Sequence, residues 1–197
     1  RKNLKIVTKA HVKNIELENN KAVAVNYWIN KDLIKAKANT EIILSAGSIG
    51  SPHILQASGV GPGNLLKKHN VNVVKDHPFV GKNLHDHLML RPVYKVKNIY
   101  TLNKLYHSYF EQMKAGLNFF FFRRGPLTMG ASQLCGFTKS DENLATPNLQ
   151  YHVAPMSTDK LGGAALHNFP AFTPTVTNIR PTSRGHIELG SADTRVD

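Results

Sequence analysis

The 197-residue sequence contains a single cysteine, Cys135. One thiol excludes a disulfide framework within the chain, but it leaves the cellular compartment open, because secreted proteins without disulfides exist. The apolar neighbours Leu134 and Phe137 predict that this thiol is buried and inert. Long hydrophobic runs are also missing. Since no stretch of about 20 apolar residues occurs, no membrane-spanning helix is predicted.

Acidic residues are scarce: 13 Asp and Glu stand against 25 Lys and Arg, giving a formal charge of +12. Clustered positive charge would indicate a nucleic-acid site. The lysines of residues 2–13 and 31–37 are instead interspersed with apolar residues, which is typical of a solvated basic face. Specific nucleic-acid binding is therefore not predicted. Non-specific polyanion binding remains an alternative, and it predicts retention on heparin that falls with modest salt.

Short strands dominate the first 44 residues. Alternating apolar and polar residues mark four runs: 4–8, 12–17, 22–28 and 33–38. Asn19–Asn20 and the segment 30–32 separate the last three runs, and Asn and Asp tolerate the left-handed backbone of tight hairpins. The pattern predicts an antiparallel β-meander. Residues 41–44 differ, because the continuous apolar run Ile42–Leu44 predicts a strand buried on both faces.

A glycine-containing turn, residues 45–52, follows this run. Ser51 is a good helix N-cap, Pro52 is a good first helical residue and Gly59 is a good left-handed stop. A second helix is predicted at 64–69 and a strand at 71–74. The first helix would leave backbone N–H groups of the turn free for an anion at Gly47, Ser48, Gly50 and Ser51. From the residues alone, a purely structural turn is supported at least as well.

A long amphipathic helix is predicted over residues 102–121. Its apolar residues recur every three or four positions, which predicts one buried face. This stripe, interpreted as core, consists of Leu102, Leu105, Tyr106, Tyr109, Phe110, Met113, Leu117, Phe120 and Phe121. Farther along, strands are predicted at 149–153 and 186–189. Residues 155–175, which include Gly162–Gly163, predict a loop or insertion.

Three blocks resemble the glucose–methanol–choline (GMC) oxidoreductases. Residues 47–62, Gly-Ser-Ile-Gly-Ser-Pro-His-Ile-Leu-Gln-Ala-Ser-Gly-Val-Gly-Pro, resemble the second signature of that family. Residues 80–87 resemble its glycine–x–Asn–Leu–x–Asp–His block, and residues 180–189 resemble the start of its C-terminal segment. Gly125–Leu127 is also similar to the family. The resemblance covers essentially the whole chain.

The resemblance implies a fold that combines α/β and α+β parts. We expect part of a doubly wound FAD-binding domain with an antiparallel meander, and part of a substrate domain with an antiparallel sheet and a long helix. The implied boundaries are 1–90 for the FAD domain, 91–178 for the substrate domain and 179–197 for the C-terminal segment. The glycine fingerprint that anchors the pyrophosphate in this family is not found in the sequence. We therefore expect an internal piece of a longer protein, which by itself is inactive, binds no flavin stably and aggregates through exposed strand edges.

The resemblance also implies a function. Family members oxidise the CH–OH group of an alcohol, a sugar or a sterol: a histidine takes the hydroxyl proton while hydride passes to FAD. That histidine would lie C-terminal to this chain, so no catalytic residue is assigned within it. A small-molecule substrate is expected, and oxygen or another electron acceptor remains open. An extracellular location is expected from similarity to glucose-dehydrogenase-like members.

Eight cofactor-binding residues are implied by position. Val12 matches a residue whose backbone reaches the adenine, and Ser45, Ala46 and Gly47 match a turn that passes near the cofactor. The remaining four implied residues are Ser51, Asn83, Asp86 and His87. One departure concerns residues 77–79: the family commonly has Leu-Pro-Gly, and this chain has His-Pro-Phe.

Alternative interpretations of these residues are weaker. His85 and His87 would point the same way in a strand and could bind a metal with Asp86, but no third or fourth ligand is spaced persuasively nearby. No nucleophile-elbow pattern frames a serine, so a hydrolase is not indicated. A family member that has lost its chemistry and acts as a binding protein remains open, and His77 and Phe79 favour it.

Overall fold

The computed structural model describes residues 2–130, 132–160 and 165–195. The chain divides into a first unit, Arg1–His85 with Ser183–Asp197, and a second unit, Asp86–Thr182. The domain boundaries implied by the family resemblance stay predictions. The predicted loop residues Gly162–Gly163 lie outside the described residues.

The secondary structure mixes strands and helices. The described residues form twelve strands: β1 (Ala10–Glu18), β2 (Lys21–Ile29), β3 (Asp32–Lys37), β4 (Val60–Gly61), β5 (Lys75–Asp76), β6 (Lys82–Leu84), β7 (Met89–Leu90), β8 (Tyr94–Lys95), β9 (Leu134–Thr138), β10 (Leu149–Ala154), β11 (Ala171–Asn178) and β12 (Gly185–His186). They also form four α-helices: α1 (Gly47–Ala57), α2 (Gly63–Lys68), α3 (Leu102–His107) and α4 (Tyr109–Phe122). A 3-10 helix covers Pro126–Thr128. None of these helices has the length and hydrophobicity that crossing a membrane requires.

The predicted antiparallel meander is confirmed. Strands β1, β2 and β3 pair in that order. Asn19, Asn20 and Asn30 have φ values of 49°, 63° and 55°, the left-handed conformation that tight turns need. The strand predicted at 4–8 is wrong, because these residues form no regular structure and Ile6 is 75% exposed.

Two further strand predictions are wrong. Residues 41–44 form no strand and Ile43 is 78% exposed, because no strand among the described residues pairs with them. Residues 71–74 also form no strand. The backbone pairs just beyond them instead, where β5 lies parallel to β4.

Helix α1 packs its C-terminal half against β1. Ile15 and Ile54 are buried, and the Ile15 amide donates to the Ser58 hydroxyl at 2.7 Å. Gly59 then stops the helix with φ +84°, as predicted. Helix α2, with buried Leu66, follows within one residue of its predicted position. The last strand of the first unit is β12, which pairs antiparallel with β6. Of the strand predicted at 186–189, only the first residue lies in β12.

An antiparallel sheet forms the second unit, in the order β7-β11-β10-β9, with β8 also on β11. Strand β10 confirms the prediction at 149–153. The loop predicted at 155–175 is wrong at its end, because β11 begins at Ala171. The predicted α/β class with antiparallel sheets is confirmed. Cys135 is exposed, not buried as predicted, because it lies on β9, an edge strand of this sheet.

The predicted long helix is two helices. Ser108 lies between α3 and α4 with an extended backbone, and its hydroxyl accepts a hydrogen bond from the Glu111 amide. The prediction that the aromatic stripe is core is also wrong. Tyr109 and Phe120 are 90% and 69% exposed, whereas Ala115 on the opposite side of α4 is buried.

Candidate functional site

The N-terminus of α1 is the first element of the candidate site. The helix begins at Gly47, five residues before the predicted first residue Pro52, so Ser51 is not the N-cap. The Ser51 hydroxyl instead accepts the Ala46 amide at 3.0 Å and holds the turn from within the helix. Ala46 occupies the N-cap position without a side-chain cap, and the first turn carries no acidic residue. The first-turn N–H groups therefore present partial positive charge that no side chain of the cap neutralises.

Gly47 keeps this turn open. Its φ of +80° is a conformation that side chains rarely adopt, and a Cβ placed there would meet no atom within 4 Å. The backbone at the start of α1 is therefore accessible to a ligand. Pro52 adds an acceptor, because its missing N–H leaves the Ser48 carbonyl without the usual hydrogen bond within the helix.

A cavity of about 340 Å³ joins this turn to the second sequence block within the first unit. Its lining residues are Ser48, Pro52, Gly81, Lys82, Asn83, Leu84, His85 and Ile187. The lining carries a lysine and no carboxylate. The structure therefore brings the start of α1 together with the predicted cofactor residue Asn83, whose φ is +61°. Ile187, from the third sequence block, contributes to the same cavity.

Gln56 holds the three blocks together, and sequence reasoning missed it. Its side chain is fully buried, and its Nε2 donates to the Val80 carbonyl at 3.2 Å and to the Ile187 carbonyl at 3.0 Å. Gly81 is required beside this amide, because an added Cβ would lie 2.1 Å from the Ile187 oxygen and 2.6 Å from Gln56 Nε2. Gln56 lies within the family-like block at residues 47–62 and Gly81 within the block at residues 80–87. The pairing itself spans too much sequence to be read from a pattern.

Val12 lies on β1, an edge strand of the meander. Its carbonyl accepts the Thr194 hydroxyl at 3.2 Å, and its side chain lines a second cavity of about 380 Å³ with Tyr27. The pairing with β2 shifts between Val12 and Asn14, so the ladder is locally irregular. The predicted adenine contact of Val12 stays a prediction.

Asp86 and His87 belong to the second unit. Both are exposed, and the Asp86 carboxylate accepts the His87 amide at 2.9 Å. Residues 85–88 form neither helix nor strand, so the strand geometry considered for a metal site is not present. Among residues 2–130, 132–160 and 165–195, no group of three or more His, Cys, Asp and Glu residues is arranged to hold a metal ion.

The departure at residues 77–79 is accommodated without strain. Phe79 does not have a positive φ, so the turn does not require the glycine that the family commonly has there. The Phe79 ring is 70% exposed and lies edge-on to His77 with 6.2 Å between ring centroids. The Phe79 carbonyl accepts the Lys82 amide at 3.0 Å, which leads the chain into the cavity-lining segment.

A family model described as GMC oxidoreductase matches residues 1–89. The oxygen-dependent choline dehydrogenase of Pectobacterium atrosepticum is 38% identical over 197 residues, which is 99% of this chain and 34% of that protein. The chain thus spans about a third of the length of the curated relatives it matches.

Solved structures agree in fold. An FAD-dependent oxidoreductase from Chaetomium thermophilum has a TM-score of 0.76 at 20% identity, over 95% of this chain and 38% of that chain. A pyridoxine 4-oxidase from Mesorbium loti has a TM-score of 0.72 at 22% identity, over 98% of this chain and 34% of that chain. At these identities the similarity shows the fold alone.

Proposed function

We propose that this chain is part of a GMC oxidoreductase and that the full-length protein oxidises the CH–OH group of a small alcohol with FAD as cofactor. The observation that carries the proposal is the cavity of about 340 Å³ where the uncapped start of α1 meets Asn83. The curated relatives are about three times as long as this chain, so activity is proposed for the full-length protein.

The residues of this cavity fit an anionic group such as a pyrophosphate. The start of α1 supplies backbone N–H donors and the positive end of the helix dipole. Gly47 leaves open space beside that backbone. Lys82 adds a cation to the lining, although its ammonium group also lies 3.3 Å from the Glu188 carboxylate. A diphosphate would therefore find donors and positive charge, and no carboxylate of the lining would repel it.

Residues that line the cavity and residues beside it would hold the cofactor together. Backbone groups of Gly47 and Ser48 would add contacts to its phosphates beside those of the family's glycine fingerprint, which this sequence does not contain. Ser51 would keep the turn in shape, because its hydroxyl accepts the Ala46 amide. Asn83, which lines the same cavity, would bind it from the second sequence block. When bound, FAD supplies the electron acceptor for the substrate carbon. Val12, Asp86 and His87 remain proposed cofactor residues on the strength of the family resemblance.

Choline is the first substrate to test, because the 38% identical relative is named a choline dehydrogenase. Sugars and sterols remain in the proposed class. Because that relative is named an oxygen-dependent choline dehydrogenase, oxygen is the first electron acceptor to test. The expected extracellular location stays a prediction.

The test uses the purified full-length protein under anaerobic conditions. We expect a flavin absorption spectrum that bleaches when choline or another alcohol is added and returns when oxygen is admitted. A yellow protein that no alcohol bleaches would support the alternative, a family member that binds flavin without the chemistry. A protein that contains no flavin and takes none up would refute the proposal.

A further inference from the structure

Strand β11 buries its polar residues and leaves its apolar ones more exposed. Thr173, Thr175 and Thr177 are 2%, 8% and 3% exposed. Alternate residues of a strand point to opposite faces of the sheet, so these three threonines share one face. The other face, which carries Phe172 and Val176, is less buried. Because buried hydroxyl groups need hydrogen-bond partners, this threonine face requires a polar environment within the second unit.

Thr175 lies between an arginine and a histidine. On one side, His152 of β10 pairs directly with Thr175. On the other side, Met89 of β7 pairs antiparallel with Thr177, which puts Arg91, just beyond the end of β7, beside Thr175. Directly opposed side chains on one face of a sheet are about 5 Å apart. Arg91, Thr175 and His152 therefore form one row across three neighbouring strands.

This row lines a cavity of about 100 Å³ within the second unit. The lining also includes three hydroxyl residues: Ser157, Thr158 and Thr173. Among the described residues that line the cavity there is no Asp or Glu. The carboxylate closest to them in sequence belongs to Asp159, which is not part of the lining and lies 3.0 Å from the ring nitrogen Nε2 of His167. The cavity therefore collects hydrogen-bond donors without a negative charge to neutralise them.

Three of these donor side chains have no partner. The Thr173 hydroxyl is satisfied, because it donates to the Met156 carbonyl at 2.7 Å. The side chains of Arg91, His152 and Thr175, by contrast, form no hydrogen bond and no ion pair with any residue that the structure describes. Arg91 is partly buried, and a guanidinium carries five N–H donors and no acceptor. An unpaired guanidinium beside further donors favours a negatively charged ligand, which forms the stronger, charge-assisted hydrogen bonds.

We propose that the cavity between Arg91 and His152 binds one small anion, a carboxylate such as acetate or a halide such as chloride. The Arg91 guanidinium pairs with the anion, and the Thr175 hydroxyl and the His152 ring donate further hydrogen bonds to it. A volume of about 100 Å³ admits an ion of this size and excludes a nucleotide. The bound anion connects β7, β11 and β10. The site belongs to the second unit and the cofactor cavity to the first, so this inference does not rest on the proposed function.

Isothermal titration of the full-length protein with sodium acetate tests the proposal, in a chloride-free HEPES buffer whose anion is larger than the cavity. We expect one acetate site per chain, for which chloride competes. Arg91→Gln should lower the affinity about tenfold or more, because a charge-assisted hydrogen bond is lost. Thr175→Val, which keeps the shape of the side chain, should lower it about threefold. Arg124→Gln and Thr138→Val, at exposed residues of the second unit outside the cavity, are the matched controls and should leave the affinity unchanged.

Flavin-loaded and flavin-free protein should bind acetate equally, so the anion site and the flavin proposal fail independently. Absence of acetate binding would refute the anion site. Binding that Arg91→Gln leaves unchanged, or that occurs only in flavin-free protein, would place the acetate elsewhere. An equal loss in Arg124→Gln would show an effect of net charge alone. Circular dichroism reports whether each variant folds; if Arg91→Gln does not, an unchanged affinity in Thr175→Val overturns the proposal.

Discussion

The buried side-chain amide of Gln56 donates to the carbonyl oxygen of Ile187 at 3.0 Å, although 131 residues separate them. The same Nε2 reaches the Val80 carbonyl, so one side chain connects all three family-like blocks. This connection fixes the wall of the candidate cofactor cavity that Gly81 and Ile187 form with the start of α1. A buried helix residue thus supports the site without lining the cavity.

Replacing Gln56 with leucine should destabilise the first unit. Leucine keeps similar volume but leaves the Val80 and Ile187 carbonyls without their donor, which costs about 2 kcal/mol of the free energy of unfolding. Urea denaturation of the full-length protein measures the change. Gln133→Leu is the control, because Gln133 is exposed, and it should change stability by less than about 0.5 kcal/mol. Equal stability of the Gln56→Leu variant and the wild type would contradict the assigned hydrogen bonds.

Replacing Gly81 with alanine should be more damaging. The new Cβ would lie 2.1 Å from the Ile187 oxygen, and Gly81 has φ +89°, so β6 and β12 would have to separate. We expect a loss of about 3 kcal/mol or more, together with weaker flavin retention. Gly116→Ala is the matched control, because nothing lies within 4 Å of its added Cβ and alanine favours the interior of α4 by about 0.5–1 kcal/mol. A Gly81→Ala protein that melted like the wild type would rule out the close approach.

Features determined by neighbouring residues were predictable from the sequence. Asn19, Asn20 and Asn30 specify left-handed turns, and the meander follows from them. Gly59 ends α1 for the same reason. The start of α1 was misplaced because Ser51 and Pro52 are good first residues of a helix by type, whereas the backbone already turns at Gly47.

The burial of side chains was not predictable, because it depends on packing against distant segments that the local sequence pattern does not identify. The spacing of Tyr109, Phe110 and Met113 identifies an apolar helix face correctly, but it does not say on which side the protein lies. Ile43 belongs to a run typical of a buried strand, yet a strand needs neighbours to pair with. Similarly, Cys135 has apolar neighbours in sequence but lies on an edge strand.

The sequence segments that form the candidate site were predictable, but the hydrogen bonds that join these segments were not. The resemblance identified the segments of Ser51 and Asn83, and the structure brings those segments to one cavity. The contribution of Ile187 and the buried amide of Gln56 arise from hydrogen bonds between distant segments. A single sequence carries no periodic signal for such bonds.

The pKa of Asp193 gives a pH-dependent prediction. Hydrogen bonds from the Arg195 guanidinium and amide lower this pKa from 3.8 to about 2. A lowered pKa means that the carboxylate stabilises the folded state above pH 3.8 and that this stabilisation is lost as pH falls through about 2. Asp193→Asn should therefore lower the melting temperature slightly at neutral pH and make progressively less difference below pH 3.8. An NMR titration of the Asp193 carboxyl group with a midpoint near 3.8 would contradict the pairing with Arg195.

Replacing Ser48 with aspartate separates cofactor binding from stability. Ser48 lies in the first turn of α1 and lines the cavity. A carboxylate there interacts favourably with the helix dipole and should stabilise the fold by about 0.5 kcal/mol, but it would repel a bound diphosphate. We expect flavin affinity to fall about tenfold or more while the melting temperature of the flavin-free protein holds or rises. Ser48→Asn is the control, because asparagine is neutral and similar in size to aspartate, and this variant should retain flavin. Flavin titration by fluorescence measures the affinity; undiminished affinity in the aspartate variant would place the phosphates elsewhere.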